Sequence, residues 1–321
     1  MKASSCLSSA VLFALLVTTG LARAQPYPNK PIRLIQGFAA GGGSDFTARV
    51  VGNELGKRFG QPVVAENRVG ANGTIGANAV AKAVPDGYTL FYGDISQMSP
   101  TFLKNNGVVM GKDLIPVAAI AATGFVFVTS AKLPAKSLPE LIAYAKANPN
   151  KLNFGVPTVV TSLMMRVLKE RTGISYTDIP YKGGPPLLLA LLAGETDFAI
   201  TVLPGIPAQM QAGTVRSFFF TGDARSSLVP ETPTAAEVGI ADFRVQLTFG
   251  IWAPVGTPRD VIQRFGAEAV AVAKASQTAD EFRKAPGFEP AGATAEELAR
   301  SYEIAMRFWA EAARLANFEP Q

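Results

Sequence analysis

Histidine is absent from the 321 residues and cysteine occurs once. The first absence removes the Ser-His-Asp triad, a His-activated thiol, a His-ligated zinc and a His general base. Any catalysis would have to run on carboxylates, Lys, Tyr or a bound cofactor, and a binding role gains accordingly. A single thiol, Cys6, rules out a disulfide framework. Charge is sparse as well: 17% of residues are charged, with 30 Lys and Arg against 25 Asp and Glu, a formal net charge of +5. The basic residues are scattered, with no basic run interleaved with aromatics, which argues against a nucleic-acid partner. Walker-loop, G-x-G-x-x-G and G-x-S-x-G spacings are all missing, and no carboxylate pair is spaced as in a glycosidase or aspartic protease. Neither a metal nor a cofactor is expected.

Long apolar runs are also scarce. The first spans Ala10 to Val17, with Lys2 before it and Ala22-Arg23-Ala24 after it. This is the layout of a signal peptide over residues 1–24, cleaved between Ala24 and Gln25, and the run is shorter than the ~20 apolar residues of a membrane span. Cys6 precedes the apolar run, so the one thiol leaves with the leader. The second run, Leu114 to Val128, is interrupted by Pro116 and Thr123-Gly124 and reads as two buried strands with a turn. The expectation is an exported, periplasmic chain that relies on its apolar core and is a monomer.

Short β-rich runs then alternate with amphipathic stretches, the pattern of parallel strands with crossover helices. Ile32 to Gln36 reads as a strand. Phe46, Val50, Leu55 and Phe59 recur at helical spacing, and Tyr88 to Tyr92 is a further strand. The middle of the chain repeats the scheme, with helices over Leu138 to Ala147, Ser162 to Glu170 and Pro186 to Leu192, and strands at Thr177 to Pro180 and Asp197 to Thr201. A β-rich run from Val245 to Ala253 precedes two long helices, Pro258 to Lys274 and Thr294 to Ala316. The fold class is α/β: two β/α lobes joined by a two-strand hinge, with residues 25–125 and 247–321 in one lobe and 126–246 in the other. Ligands of such sheets sit at the carboxyl ends of strands, where helix N-termini point.

Gly41-Gly42-Gly43-Ser44-Asp45 lies at such a strand-to-helix junction. Two readings are open: an anion site made of backbone N–H groups and a helix end, or an ordinary turn with Ser44 as N-cap. Glu66-Asn67-Arg68 is either a polar network beside the cleft or a salt-bridged surface loop. Lys182 is a candidate amine nucleophile or, more simply, a solvated strand end.

The ordered blocks Tyr27-Pro-Asn-Lys-Pro-Ile-Arg-Leu-Ile, Gly41 to Arg49, Glu66-Asn-Arg68, Ala83-Val-Pro-Asp-Gly-Tyr-Thr-Leu90, Ile179-Pro-Tyr-Lys-Gly183 and Trp252-Ala-Pro-Val-Gly-Thr-Pro258 resemble the Bug family. These are substrate-binding receptors of tripartite tricarboxylate transporters. The resemblance implies a type-II periplasmic binding-protein fold closing like a Venus flytrap on a small carboxylate, with integral membrane permease subunits as partners. It implies a ligand site in two loops: Phe38, Ala39, Ala40, Gly41, Gly42, Gly43, Ser44 and Asp45 in the first, and Gly155, Val156, Pro157, Thr158, Thr161 and Ser162 in the second. Ser96, Gln97 and Thr201 occupy further pocket-facing positions. The chain departs from the family at Gln36 to Gly41, where Pro-Phe-x-Pro-Gly-Gly is common, and near Ser162-Leu163, where a His is usual. Val156, Val159, Val160 and Met164 add apolar surface, and Phe38 and Phe154 are either ring-facing walls or core.

The ligand expected from these departures keeps one carboxylate and is otherwise less polar than a tricarboxylate, as in an aromatic or short aliphatic acid. Without histidine, binding is expected to vary little between about pH 5.5 and 8. The alternatives to a transport receptor are a sensor presenting its closed form to a membrane signalling protein, and a Lys- or carboxylate-dependent enzyme in the same cleft.

Overall fold

A single 17-residue strand, Leu114–Ser130, runs through the middle of the molecule. The computed structural model describes residues 27–97, 108–109 and 111–319, apart from 204, 223, 227, 241, 242, 244, 285 and 286. The proposed leader and its cleavage site lie outside the described residues. Elements before the long strand are β1 (Ile32–Gln36), α1 (Gly43–Phe59), β2 (Val63–Asn67), α2 (Thr74–Ala81) and β3 (Thr89–Gly93). The long strand is β4. After it come α3 (Leu138–Ala147), β5 (Asn153–Val156), α4 (Val159–Thr172), β6 (Thr177–Pro180), α5 (Gly184–Ala193), β7 (Phe198–Val202), α6 (Ile206–Gln211) and β8 (Val215–Phe220). The chain ends in β9 (Gln246–Pro254), α7 (Arg259–Lys274), α8 (Ser276–Lys284), β10 (Glu289–Thr294) and α9 (Ala295–Leu315).

The strands hydrogen-bond in the order β2-β1-β3-β9-β4-β7-β5-β6, with β8 and β10 also paired to β4. β1 is parallel to β2 and β3, and β5 is parallel to β6 and β7, as expected of crossover units. From Leu114 to Gly124, β4 runs antiparallel to β9, ending at the Gly124–Gln246 pair. From Phe125 onward its neighbours are β7 and β8. One strand therefore belongs to both β/α lobes.

Here the structure corrects the expected pair of strands over Leu114 to Val128. Pro116 does not break β4, because the register shifts between Pro116 and Ala118 and again between Ala119 and Ala121. These bulges absorb a residue that cannot donate to the ladder. α4 begins three residues earlier than its expected start at Ser162, because Thr158 and Thr161 form a reciprocal cap: each side chain bonds the other's backbone. The two expected closing helices are separated by α8 and β10, and β10 adds to β4.

Each lobe has its own aromatic core. Phe127 of β4 stacks on Phe198, Phe218 and Phe219 at centroid distances of 5.7, 5.8 and 5.1 Å. In the other lobe Tyr92 stacks on Phe249 at 6.0 Å, and Phe288 packs edge-on against Phe249 and Phe282. Where the lobes meet, the buried Thr221 hydroxyl accepts from Phe125 N–H at 2.8 Å and donates to Val245 C=O at 2.6 Å. Its own backbone N–H bonds Phe125 C=O, and Val245 N–H bonds Thr221 C=O. One side chain thus ties the outgoing strand to the segment that returns to β9.

A Thr221→Val variant keeps the shape and orphans a buried N–H and a buried C=O, each costing about 1–3 kcal/mol. The expected outcome is a loss of about 2–6 kcal/mol in urea unfolding, and an unchanged midpoint would show that the brace contributes nothing.

Candidate functional site

A cavity of about 60 Å³ lies where the lobes meet. Its floor is Phe125 of β4 with Leu247 and Phe249 of β9, and its sides come from the N-terminal ends of α1, α4 and α5 together with Asp94 and Ser96 after β3. A neighbouring cavity of about 250 Å³ shares Gly42, Gly43, Gly184, Pro185, Thr201 and Val202 with it. The first space suits a few heavy atoms, well below the ~300 Å³ of a drug-sized site.

Three side chains build the first loop. Gln36 accepts from Phe38 N–H at 2.9 Å and donates to Phe38 C=O at 2.8 Å. Asn67 donates to Phe38 C=O at 3.1 Å and to Asp45 at 2.9 Å. Asp45 accepts from Gly41 N–H at 3.0 Å and from Arg49. Gln36 thereby ties down with hydrogen bonds a turn in which the prolines expected of the family are absent. Of the two readings of Glu66-Asn67-Arg68, both hold in part: Asn67 braces the loop beside the cavity, while Glu66 pairs with Arg33 at 2.7 Å on the surface, and that pairing lowers its pKa.

α1 starts at Gly43, one residue before Ser44, so the N-cap is Gly42 and makes no side-chain cap. Ser44 is therefore not the cap expected for an ordinary turn; its buried Oγ has no partner, and the residue is among those lining the cavity. The N–H groups of Gly43, Ser44 and Asp45, the first turn of α1, have no intrahelical acceptor. Glycine at 43 is required by packing, since a Cβ there would lie 2.3 Å from Phe288 Cζ. At α4 the Thr158 side chain takes the Thr161 N–H, leaving those of Val159 and Val160. At α5 the N-cap Gly183 has φ +105, and Pro185 and Pro186 remove two donors, so Gly184 supplies the one free N–H of that turn.

The cavity unites Phe38, Ala39, Gly42, Gly43, Ser44, Ser96, Pro157, Thr158, Thr161 and Thr201 from the expected site. Ala40, Gly41, Asp45, Gln97, Gly155, Val156 and Ser162 do not line it. Asp45 serves the loop's bracing instead, and Gly41 both donates to it and lines the neighbouring cavity. Gln97 is fully buried, and its Oε1 accepts from Asp94 N–H at 3.1 Å. Phe154 proves to be core, 5.5 Å from Tyr176 and 5.4 Å from Phe198. Met164 faces a separate cavity against α9, leaving Val160 as the apolar contribution of α4. Lys182 is exposed and lies outside the lining.

Sequence reasoning missed Asp94, the one ionisable side chain among the described lining residues. Its Oδ1 accepts from Ser96 N–H at 2.7 Å, while Oδ2 is buried without a partner. Desolvation pushes the carboxyl up to about 6, against the opposing hydrogen bonds from Ser96. The expectation of little pH dependence considered histidine alone; a carboxyl that burial raises toward neutral pH is a second titratable group in the cavity wall. A Gly-Asp step at the end of a strand that faces a helix N-terminus was the available signal.

The fold and this cleft define a two-lobed solute receptor of the periplasmic binding-protein class. The family model described as "Tripartite tricarboxylate transporter family receptor" matches residues 47–307, and the chain belongs to that family. Protein BugT of Bordetella pertussis is 34% identical over 261 residues, 79% of this chain and 80% of that protein. Among solved structures, a Rhodopseudomonas palustris protein with adipate matches at TM-score 0.86 and 29% identity, covering 92% of this chain and all of that one. MatC of Rhodopseudomonas palustris with bound malate matches at TM-score 0.83 and 26% identity, covering 89% of this chain and 99% of that one. The family comprises solute receptors and not enzymes. Among the described residues no helix is long and apolar enough to cross a membrane.

Because Asp94 is raised from 3.8 in the unfolded chain to about 6 when folded, the native state binds the extra proton and loses stability as pH rises between those values. The shift corresponds to roughly 3 kcal/mol. An Asp94→Asn variant is therefore expected to melt higher than wild type at pH 7.5 and level with it by pH 4. Equal melting temperatures at both pH values would contradict the buried, unpaired carboxyl.

Proposed function

We propose that the chain is an exported, monomeric receptor that closes its lobes on a small organic carboxylate and hands it to a membrane permease. Closure occurs between residues 25–125 with 247–321 on one side and 126–246 on the other. The leader over residues 1–24 carries it to the periplasm. The observation that supports this most is the convergence of three helix N-termini, with free N–H groups on Gly43, Ser44, Val160 and Gly184, on a cavity whose described lining holds no Lys or Arg.

Such a site holds an anion without a cationic side chain. A charge-assisted hydrogen bond contributes about 1.5–3 kcal/mol, and a helix N-terminus about 0.3–2 kcal/mol. Three of each give roughly 5–15 kcal/mol gross, which spans the ~8 kcal/mol of a micromolar complex before ordering and closure are deducted. The apolar floor of Phe125, Leu247 and Phe249 suits a ligand whose remaining atoms are few and mostly hydrocarbon.

A thermal-shift screen of mono-, di- and tricarboxylates tests this. At a hundredfold excess over Kd, a ligand stabilises by about 2.7 kcal/mol, which for a chain of this size raises Tm by roughly 4 °C. Stabilisation by a monocarboxylate is expected; a response to citrate-like polyanions alone would contradict the proposal.

A further inference from the structure

The lining of the cavity has an uneven charge inventory. Three helix ends make it electropositive, yet a carboxyl only 1% exposed sits in the same wall. Among the described residues no cation neighbours Asp94 to account for its position. The described groups around it are the Tyr92 phenol of β3, which donates to Thr47, the Ser96 N–H that holds Oδ1, the Gln97 amide, whose Oε1 accepts from Asp94 N–H and whose Nε2 is buried without a partner, and the backbone of Gly93, whose C=O accepts from Trp252 of β9. Asp45 of α1 is turned away to Gly41, Arg49 and Asn67. The described lining residues of α1, α4, α5, β4, β7 and β9 are uncharged.

A buried carboxylate with one oxygen unpartnered is costly. Ionised, it can only accept hydrogen bonds. A ligand bearing a second carboxylate would add like charge beside it, whereas an ammonium would supply both the missing charge and the missing donor. The Ser44 hydroxyl, also buried and unpartnered in this wall, can donate to the ligand's carboxylate alongside the helix ends.

We propose that Asp94 is a specificity residue and that the ligand is a small amino acid, its carboxylate at the helix N-termini and its ammonium donating to Asp94 Oδ2. This rests on the carboxylate-receptor reading above and narrows it. An acid of the same size lacking the amine leaves Oδ2 orphaned, and a diacid meets repulsion.

Calorimetric titration of the purified protein with matched acids provides the test: alanine, β-alanine and 4-aminobutyrate against propionate, butyrate, 4-hydroxybutyrate, succinate and malate. At least one amino acid is expected to bind tenfold or more tightly than its counterparts, and Asp94→Asn is expected to abolish that advantage while leaving the fold intact by circular dichroism. Lowering the pH from 7.5 to 5 protonates a carboxyl of pKa about 6 and is expected to weaken amino-acid binding about tenfold. A diacid or hydroxy acid bound as tightly as the amino acid, an advantage that survives in Asp94→Asn, or binding that tightens on acidification would overturn the inference and leave the carboxylate receptor standing. Binding by none of the acids would remove both.

Discussion

The rest of the molecule depends on β4. At about 3.3 Å per residue its 17 residues span roughly 55 Å, long enough to serve first β9 and β10 and then β7 and β8. Two lobes that share a strand cannot drift apart, but they can bend relative to one another where ladder partners change, between Gly124 and Phe125. The Thr221 hydroxyl joins the outgoing and returning segments at that point. Because Phe125 also lines the cavity, the point where the ladder partners change and the proposed ligand site coincide.

The electrostatic character of the cleft follows from this arrangement. Parallel strands feeding helices point the N-termini of α1, α4 and α5 toward the sheet's carboxyl edge, and both lobes do so toward their common boundary. Backbone dipoles, which do not titrate, make this boundary electropositive. Asp94 stands out against that background because it is the one ionisable group in the described lining. A carboxyl kept buried at a cost in stability, in a site that otherwise attracts anions, marks a second requirement on the ligand beyond a carboxylate.

Much of the frame could be read in the order of residues. Periodicity located α1, α3 and α7 closely, because their apolar faces recur at helical spacing and Gly60 and Asn148 close two of them. The continuity of β4 was hidden: Pro116 and Thr123-Gly124 look like breaks until bulges and partners on both sides are seen. α8 and β10 were missed because their burial is set by packing against α7 and β4, which is a long-range effect. The first loop's sequence pointed to the cavity, but the division of labour within it did not show. Ser44 lines the space while Asp45, one residue on, holds the turn, a distinction that depends on which residue begins α1. Asp94 offered no signal beyond the Gly-Asp step that ends β3, and the strand pairing is what brings it to the cleft.

On the proposed function, backbone N–H groups at three helix ends hold the ligand's carboxylate. An amide proton–nitrogen NMR titration, using the acid of highest affinity, reports on those groups one by one. The largest downfield proton shifts are expected at Gly43, Ser44, Val160 and Gly184, since a hydrogen bond to an anion deshields the donor. Saturating binding that leaves these four amides unmoved, with shifts gathered instead around lysine and arginine side chains elsewhere, would contradict the account.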